Sequence, residues 1–213
     1  MSTETGFEAG FGGWTTSTFS RTSGSTPSSS TGPNAAAEGS YFVYAETSSP
    51  NYPNKQFTMY QNFNETMSII SAVTFDYHMY GSDMGTVLLQ GSVDGSSYMT
   101  FWSRTGNAGN AWYRANVTVD QPAATGYYKW LRFHYTSGSS YQGDLALDNV
   151  AVETRVSTNS TPAPTTTPSP IRDETPEPTL PRADELTSTI WVVATSLGAL
   201  GLGFFRAIEG GYL

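Results

Sequence analysis

Residues 73 to 90, V-T-F-D-Y-H-M-Y-G-S-D-M-G-T-V-L-L-Q, leave this chain few folds to choose from. Phe75, Tyr77 and Met79 fall on one side of an extended segment, and Asp76, His78 and Tyr80 on the other. Gly81-Ser82-Asp83-Met84-Gly85 is turn chemistry, because Gly and Asp tolerate the backbone angles of a tight reversal. Thr86 to Gln90 is β-branched and aliphatic, so the chain re-enters a sheet as the second arm of a hairpin. No catalytic constellation surrounds this stretch.

The same grammar runs through the first 150 residues. Phe7 to Trp14 reads as a short aromatic strand with a glycine turn. Thr15 to Gly32, rich in Ser and Thr, reads as a strand and then a long surface loop. Strands follow at Tyr41–Glu46, Gln56–Tyr60 and Ser68–Tyr80. Val93-Asp94-Gly95-Ser96 is a hairpin signal. Tyr98–Arg104, Trp112–Val119, Tyr127–Thr136 and Leu145–Val152 complete the series. Roughly nine or ten short strands with regular turns, and no helical period, predict an all-β antiparallel sandwich or jelly roll.

Composition narrows function. The chain is acidic, with 18 Asp and Glu against 10 Lys and Arg. Too few cations are available to neutralise phosphates, so nucleic acid is not an expected partner. There is no cysteine, which excludes disulfides and thiolate chemistry. Met1-Ser2-Thr3-Glu4-Thr5 has neither the basic nor the apolar region of a signal peptide. The expectation is a processed chain, or one that reaches its membrane by its other end.

Beyond residue 154 the composition changes. Residues 155–186 are dominated by Thr, Ser, Pro and acid, which cannot offset chain entropy by burial, so a disordered stalk is expected. Residues 187–206 then form an uncharged apolar run, Thr187 to Phe205, that ends at Arg206. At roughly 19 residues the run suits one transmembrane helix. Trp191 and Phe204-Phe205 sit where aromatics favour the interface, and a short tail, 207–213, follows. With a lost signal peptide the β domain would lie outside the membrane. Without one the chain is a tail anchor, and in a virus the domain would face the capsid.

Read together, the motifs are similar to those of the MAM domain family, named for meprin, the A5 antigen and receptor tyrosine phosphatase mu. The matching pieces are Phe7-Glu8…Gly13-Trp14, Thr31-Gly32-Pro33 and Gly39-Ser40-Tyr41…Glu46. They continue with Phe75 to Gly81, Met84-Gly85, Trp102, Gly106, Trp112 and Asp144-Leu145-Ala146-Leu147-Asp148-Asn149-Val150. The resemblance covers residues 6–154. It implies a two-sheet jelly roll that serves as an extracellular adhesion or interaction module, often self-associating, and not an enzyme. The chain departs from the family at Gly12, where a cysteine is usual, and at Asn149, where a second acid is usual.

Related jelly rolls often hold a structural Ca²⁺ or Na⁺ between the first strand and the last. Glu8, Glu46, Asp144 and Asp148 are the candidate ligands here, since hard cations want carboxylate oxygens. His78 and His134, each on a strand among aromatics, have no partner motif for catalysis. Trp102, Trp112, Trp130, Tyr98, Tyr127, Tyr128 and Tyr141 are candidates for a sugar-stacking face. Asn64, Asn116 and Asn159 fit the N-glycosylation pattern. The reading is a membrane-anchored interaction module whose partner is a protein or a second copy. The alternatives are a structural protein of a membrane-containing virion and a carbohydrate-binding module.

Overall fold

Alternating apolar and polar residues build a chain of short strands, and a computed structural model describes them over residues 2–63, 68–121 and 126–156. The strands are β1 (Ser2–Thr5), β2 (Thr15–Thr16), β3 (Ser20–Ser23), β4 (Tyr41–Ala45), β5 (Gln56–Asn62), β6 (Ser68–Met79), β7 (Thr86–Ser92), β8 (Met99–Thr105), β9 (Trp112–Thr118), β10 (Trp130–Thr136) and β11 (Leu145–Val156). No helix occurs among the described residues, and so none there is long and apolar enough to cross a membrane. From residue 157 on, the expected stalk, transmembrane helix and tail lie outside the described residues.

The strands form two antiparallel sheets. Sheet A runs β3-β4-β11-β6-β9, with β1 also on β11; sheet B runs β2-β5-β10-β7-β8. Inward residues of both sheets make one core. Phe75 of sheet A meets Phe133 of sheet B edge-on at 4.9 Å, and Trp102 stands edge-on to Phe75 at 5.1 Å. All of Phe75, Phe133, Leu89, Leu131 and Leu147 are fully buried. Burying each is worth about 1.5–3 kcal/mol, so this interior is the main source of stability.

Two expectations are corrected. Residues 73–90 do not form a hairpin, because β6 belongs to sheet A and β7 to sheet B. The turn chemistry is real, but it carries the chain across the sandwich. Turn residues specify a reversal and not the partner. Here the turn packs on the 136–143 segment: the Gly85 N–H donates to Tyr135 Oη at 2.9 Å, and that hydroxyl donates to Gly143 O at 2.6 Å. A Cβ at Gly85 would stand 1.8 Å from Thr136 O, so only glycine allows this approach. The second correction is Phe7 to Trp14, a looped segment and not a strand. Phe7 has φ 60, and Gly10, Gly12 and Gly13 also have positive φ, which no strand accommodates.

β11 carries a telling irregularity. Leu145 and Leu147 face the core, then Val150 and Val152 do, so the parity changes between them. A bulge resets it: Asp148 pairs Asp76, but Ala151 pairs Thr74. Asn149 sits at the bulge with φ 47, a conformation that Asn tolerates better than most residues. There β11 also changes neighbours, from β4 at Leu145–Leu147 to β1 at Val150–Glu153.

Candidate interaction surface

At the β9 edge Arg114, Asn116 and Thr118 are exposed, but over β4 and its neighbours the outer face of sheet A is covered. Residues 24–40, between β3 and β4, lie across it. Trp112 Nε1 donates to Ala35 O at 3.0 Å, Gly32 N to Tyr80 O at 3.2 Å, and Thr26 Oγ1 to Thr31 O at 3.1 Å. Phe42, Tyr44 and Ala146 form a small second cluster beneath, packed by Ala36 and Trp112. The expected surface loop is thus a pinned lid, with Thr26 and Thr31 buried. A polar recess of about 380 Å³ opens between this lid, Tyr80 and Asn110.

The four candidate acids act as acceptors, Glu8 and Asp148 at the end of this covering and Glu46 and Asp144 in the turn after β4. Asp148, fully buried, takes Ala37 N at 2.9 Å and Glu38 N at 3.3 Å on Oδ2, and its neighbour Asn149 N at 2.8 Å on Oδ1. Glu8 Oε1 takes Ser40 N and Tyr41 N, each at 2.9 Å. Those two N–H groups hold the Glu8 carboxyl below its ordinary range. Asp144 Oδ1 takes Thr47 N at 2.9 Å and Thr47 Oγ1 at 3.0 Å, and Glu46 Oε1 takes Ser48 N at 3.0 Å. Burial pushes both Asp144 and Asp148 up to about 6. Glu8 and Asp148 therefore clamp residues 37–41, while Glu46 and Asp144 clamp residues 46–48. Among the described residues no three His, Cys, Asp or Glu gather as a metal-ligand set. Backbone N–H groups engage both oxygens of Asp148 but one oxygen each of Glu8, Glu46 and Asp144, and the buried Asp144 Oδ2 and His78 Nδ1 have no hydrogen-bond partner among the described residues.

Among the described residues no lid crosses the outer face of sheet B, which is the bare face of the sandwich, although Gln90 and Ser92 within it are buried. Pairing registers lay its side chains in rows. One row is Tyr60, Arg132, Gln90 and Thr100; on either side lie Asn62, Trp130 and Ser92, and Thr58, His134, Leu88 and Ser103. No strand residue in these rows is acidic.

A family description, "MAM domain, meprin/A5/mu", matches residues 5–156. The chain belongs to the MAM domain family. MAM domain-containing glycosylphosphatidylinositol anchor protein 1 of Rattus norvegicus is 30% identical over 131 residues, 59% of this chain but 13% of the relative. Anchor protein 2 of Homo sapiens is 29% identical over 153 residues, 65% of this chain and 15% of the relative. The chain thus matches only a small part of these relatives' length. Among solved structures, the K2 cleaved adhesin domain of Lys-gingipain aligns with TM-score 0.52 and 16% identity, over 72% of this chain and 99% of that one. That likeness shows the fold alone.

The MAM domain scatters the other candidates. His78 and His134 lie on different sheets. His78 Nε2 meets Asn110 Oδ1 at 3.1 Å, and His134 Nδ1 meets Thr58 Oγ1 at 3.1 Å. Burial lowers both imidazoles, so both stay neutral at pH 7. Of the candidate stacking aromatics, Trp102 packs against core residues, Tyr128 is buried, and Trp112 sits under the lid. Tyr127 and Tyr141 are exposed outside the strands. Only Trp130 and Tyr98 reach the bare face, where Tyr60 and Arg132 join them. The alternation Q-F-T-M-Y-Q-N places Tyr60 opposite to Phe57 and Met59, a signal in the sequence that aromatic counting misses. Asn116 is exposed on β9. Asn64 and Asn159 lie outside the described residues.

Proposed function

We propose that this chain is a non-catalytic, membrane-anchored adhesion module. The MAM family match across the whole β domain carries the reading. In support, the two histidines are apart, neutral and without an acid partner among the described residues. The surface offered to a partner is the outer face of sheet B, since the lid occupies the β4 side of the other face. The partner is a protein at an opposing surface, including a second copy of the chain. Residues 155–186 act as the stalk and residues 187–206 as the anchor, with the MAM domain outside the membrane. The relatives' names describe a glycosylphosphatidylinositol anchor, a different device for the same end. Many tethered copies would raise effective concentration, so that weak contacts add up.

The test reconstitutes the full chain in liposomes. The chain is expected to resist alkaline carbonate extraction, and protease cutting within residues 155–186 is expected to release an intact MAM domain. Chain-bearing liposomes are expected to cluster or to bind cell surfaces. Carbonate release would overturn the anchor, and failure to cluster or bind would overturn adhesion.

A further inference from the structure

Arg132 stands at the centre of the bare face, held but not neutralised. Its Nε donates to Gln90 Oε1 at 2.8 Å, and Gln90 Nε2 donates to Thr100 Oγ1 at 3.0 Å. The guanidinium carbon lies 3.6 Å from the centroid of the Tyr98 ring. These contacts fix the plane of the group and leave both Nη amino groups without a hydrogen bond to any described residue. Among the described residues the only ion pair is Arg114 with Asp76, on the other sheet. Asp94, at the rim, is spent on its own turn, where Oδ1 accepts from Ser92 Oγ, Ser96 N and Ser97 N at 2.9 Å each. In a chain with 18 acids, a half-buried guanidinium without a carboxylate is an anomaly that an incoming anion would resolve.

Its neighbours indicate what carries that anion. Tyr60 is directly opposite Arg132 on β5, and Trp130 is in the adjacent row. The two rings lie 6.0 Å apart at 43°, and Tyr60 is 37% exposed. A planar fork beside exposed aromatic surface suits a pyranose that bears a carboxylate. The carboxylate takes two parallel N–H bonds, while ring C–H groups lie on the aromatic faces. Thr58 and Thr100 offer hydroxyls nearby. An acidic peptide or a nucleic acid would ask for several cations, and these rows hold one, because His134 is neutral.

We propose that the outer face of sheet B binds a glycan through a carboxylated sugar, a sialic or uronic acid, with Arg132 gripping the carboxylate and Trp130 and Tyr60 stacking on the sugars. This names the ligand of the adhesion reading and rests on it. Liposomes that cluster without glycan binding would keep that reading and defeat this one.

The experiment measures binding of the full chain in detergent micelles to sialyllactose and lactose, and to a glucuronate hexasaccharide and its carboxyl-reduced counterpart. At least one acidic member is expected to bind roughly tenfold more tightly than its neutral partner, the size of a hydrogen-bonded charge. Arg132→Gln is expected to erase that preference with the melting temperature unchanged, and Arg132→Lys to keep part of it. Trp130→Ala is expected to weaken acidic and neutral members alike. Equal binding within both pairs, no binding at all, or a preference that survives Arg132→Gln would overturn the proposal. So would a poly-glutamate peptide that binds as tightly as the sugars and through Arg132.

Discussion

β4 and β5 are neighbours in sequence and opposites in environment. In β4, Phe42, Val43, Tyr44 and Ala45 are all buried, whereas β5 alternates, with Phe57 and Met59 buried, Thr58 partly exposed and Tyr60 exposed. The cause is written in each strand. Y-F-V-Y-A offers no charged residue for water on its outer side, so sheet A needs a cover, and residues 24–40 supply it. Q-F-T-M-Y-Q-N puts polar and amphipathic groups outside, so sheet B can stand bare. The difference teaches that the β4 side of sheet A is spent on stability, while the outer face of sheet B keeps side chains open to a partner. Substitutions should therefore divide by face, with folding hurt on one and binding on the other.

The largest effect is expected at Asp148. Asp148→Ala strips the acceptor from Ala37 N, Glu38 N and Asn149 N in a buried site. Each orphaned donor costs about 1–3 kcal/mol, so a total loss of about 3–5 kcal/mol is expected in urea unfolding, with partial relief in Asp148→Asn. A loss under about 1 kcal/mol would mean that the lid does not depend on this clamp. Because no three acids gather among the described residues and each already accepts from N–H groups, Ca²⁺ or a chelator is expected to leave the melting temperature unchanged. A clear rise with Ca²⁺ would show a cation displacing those N–H groups.

Next comes the bulge. Asn149 combines φ 47 with an Nδ2 bond to Asp76 Oδ2 at 2.8 Å. Asn149→Val puts a β-branched residue in the left-handed region and loses the bond, for an expected cost of about 2–4 kcal/mol. Asn149→Gly keeps the backbone and should cost about half as much. If Gly and Val cost the same, the side-chain bond and not the backbone sets the residue here.

These two sites also show what could be read from the sequence alone. The two-sheet fold was legible because alternation and turn residues act locally, and the parity break in L-A-L-D-N-V-A-V marks the bulge. Whether β6 and β7 pair was not legible, because pairing is decided by β9, β10 and β11, far along the chain. The lid was misread for a related reason. Ser, Thr and Gly signal loops, but Thr26 and Thr31 are buried by partners such as Asp144, whose N–H reaches Thr31 Oγ1 at 2.8 Å. The four acids drew notice as ligands for a cation, and spacing could not show that each accepts from backbone N–H groups of nearby loops instead. Arg132 went unseen because an arginine in a strand is unremarkable until its row shows no acid.

A smaller effect, in pH, again falls on the covered face. Burial holds His78 below its ordinary 6.5, while the Asn110 hydrogen bond opposes the shift. Below about pH 6.5 the unfolded chain therefore binds more protons than the native one at this site, and stability drops as pH falls. Asp144 works in the other sense. Its folded value, about 6, exceeds the ordinary 3.8, so its contribution shrinks as pH rises from about 4 to 6 and is level above that. The wild-type profile mixes these two with His134 and Asp148, which are shifted in the same two senses, and single variants isolate the contribution of each. Between pH 7 and pH 5, His78→Gln should lose less stability than wild type, and Asp144→Asn should lose more, because it lacks the compensating gain. Parallel profiles for all three would place both groups in contact with water, contrary to a sealed lid.

The smallest effect on folding is expected where the effect on binding is largest. Tyr60→Ala and Arg132→Gln alter partly exposed side chains on the bare face, and neither opens a core cavity. Each should shift unfolding by less than about 1 kcal/mol, against several for Asp148→Ala. Gln90, itself buried, holds Arg132 through Oε1, so Gln90→Leu is the sharper probe. It removes the guanidinium's support without touching its charge. If the bare face works through a fixed fork, Gln90→Leu should weaken acidic-glycan binding nearly as much as Arg132→Gln. If charge alone matters, Gln90→Leu should bind like wild type, and the two faces would then differ in cover but not in how rigidly their polar groups are held.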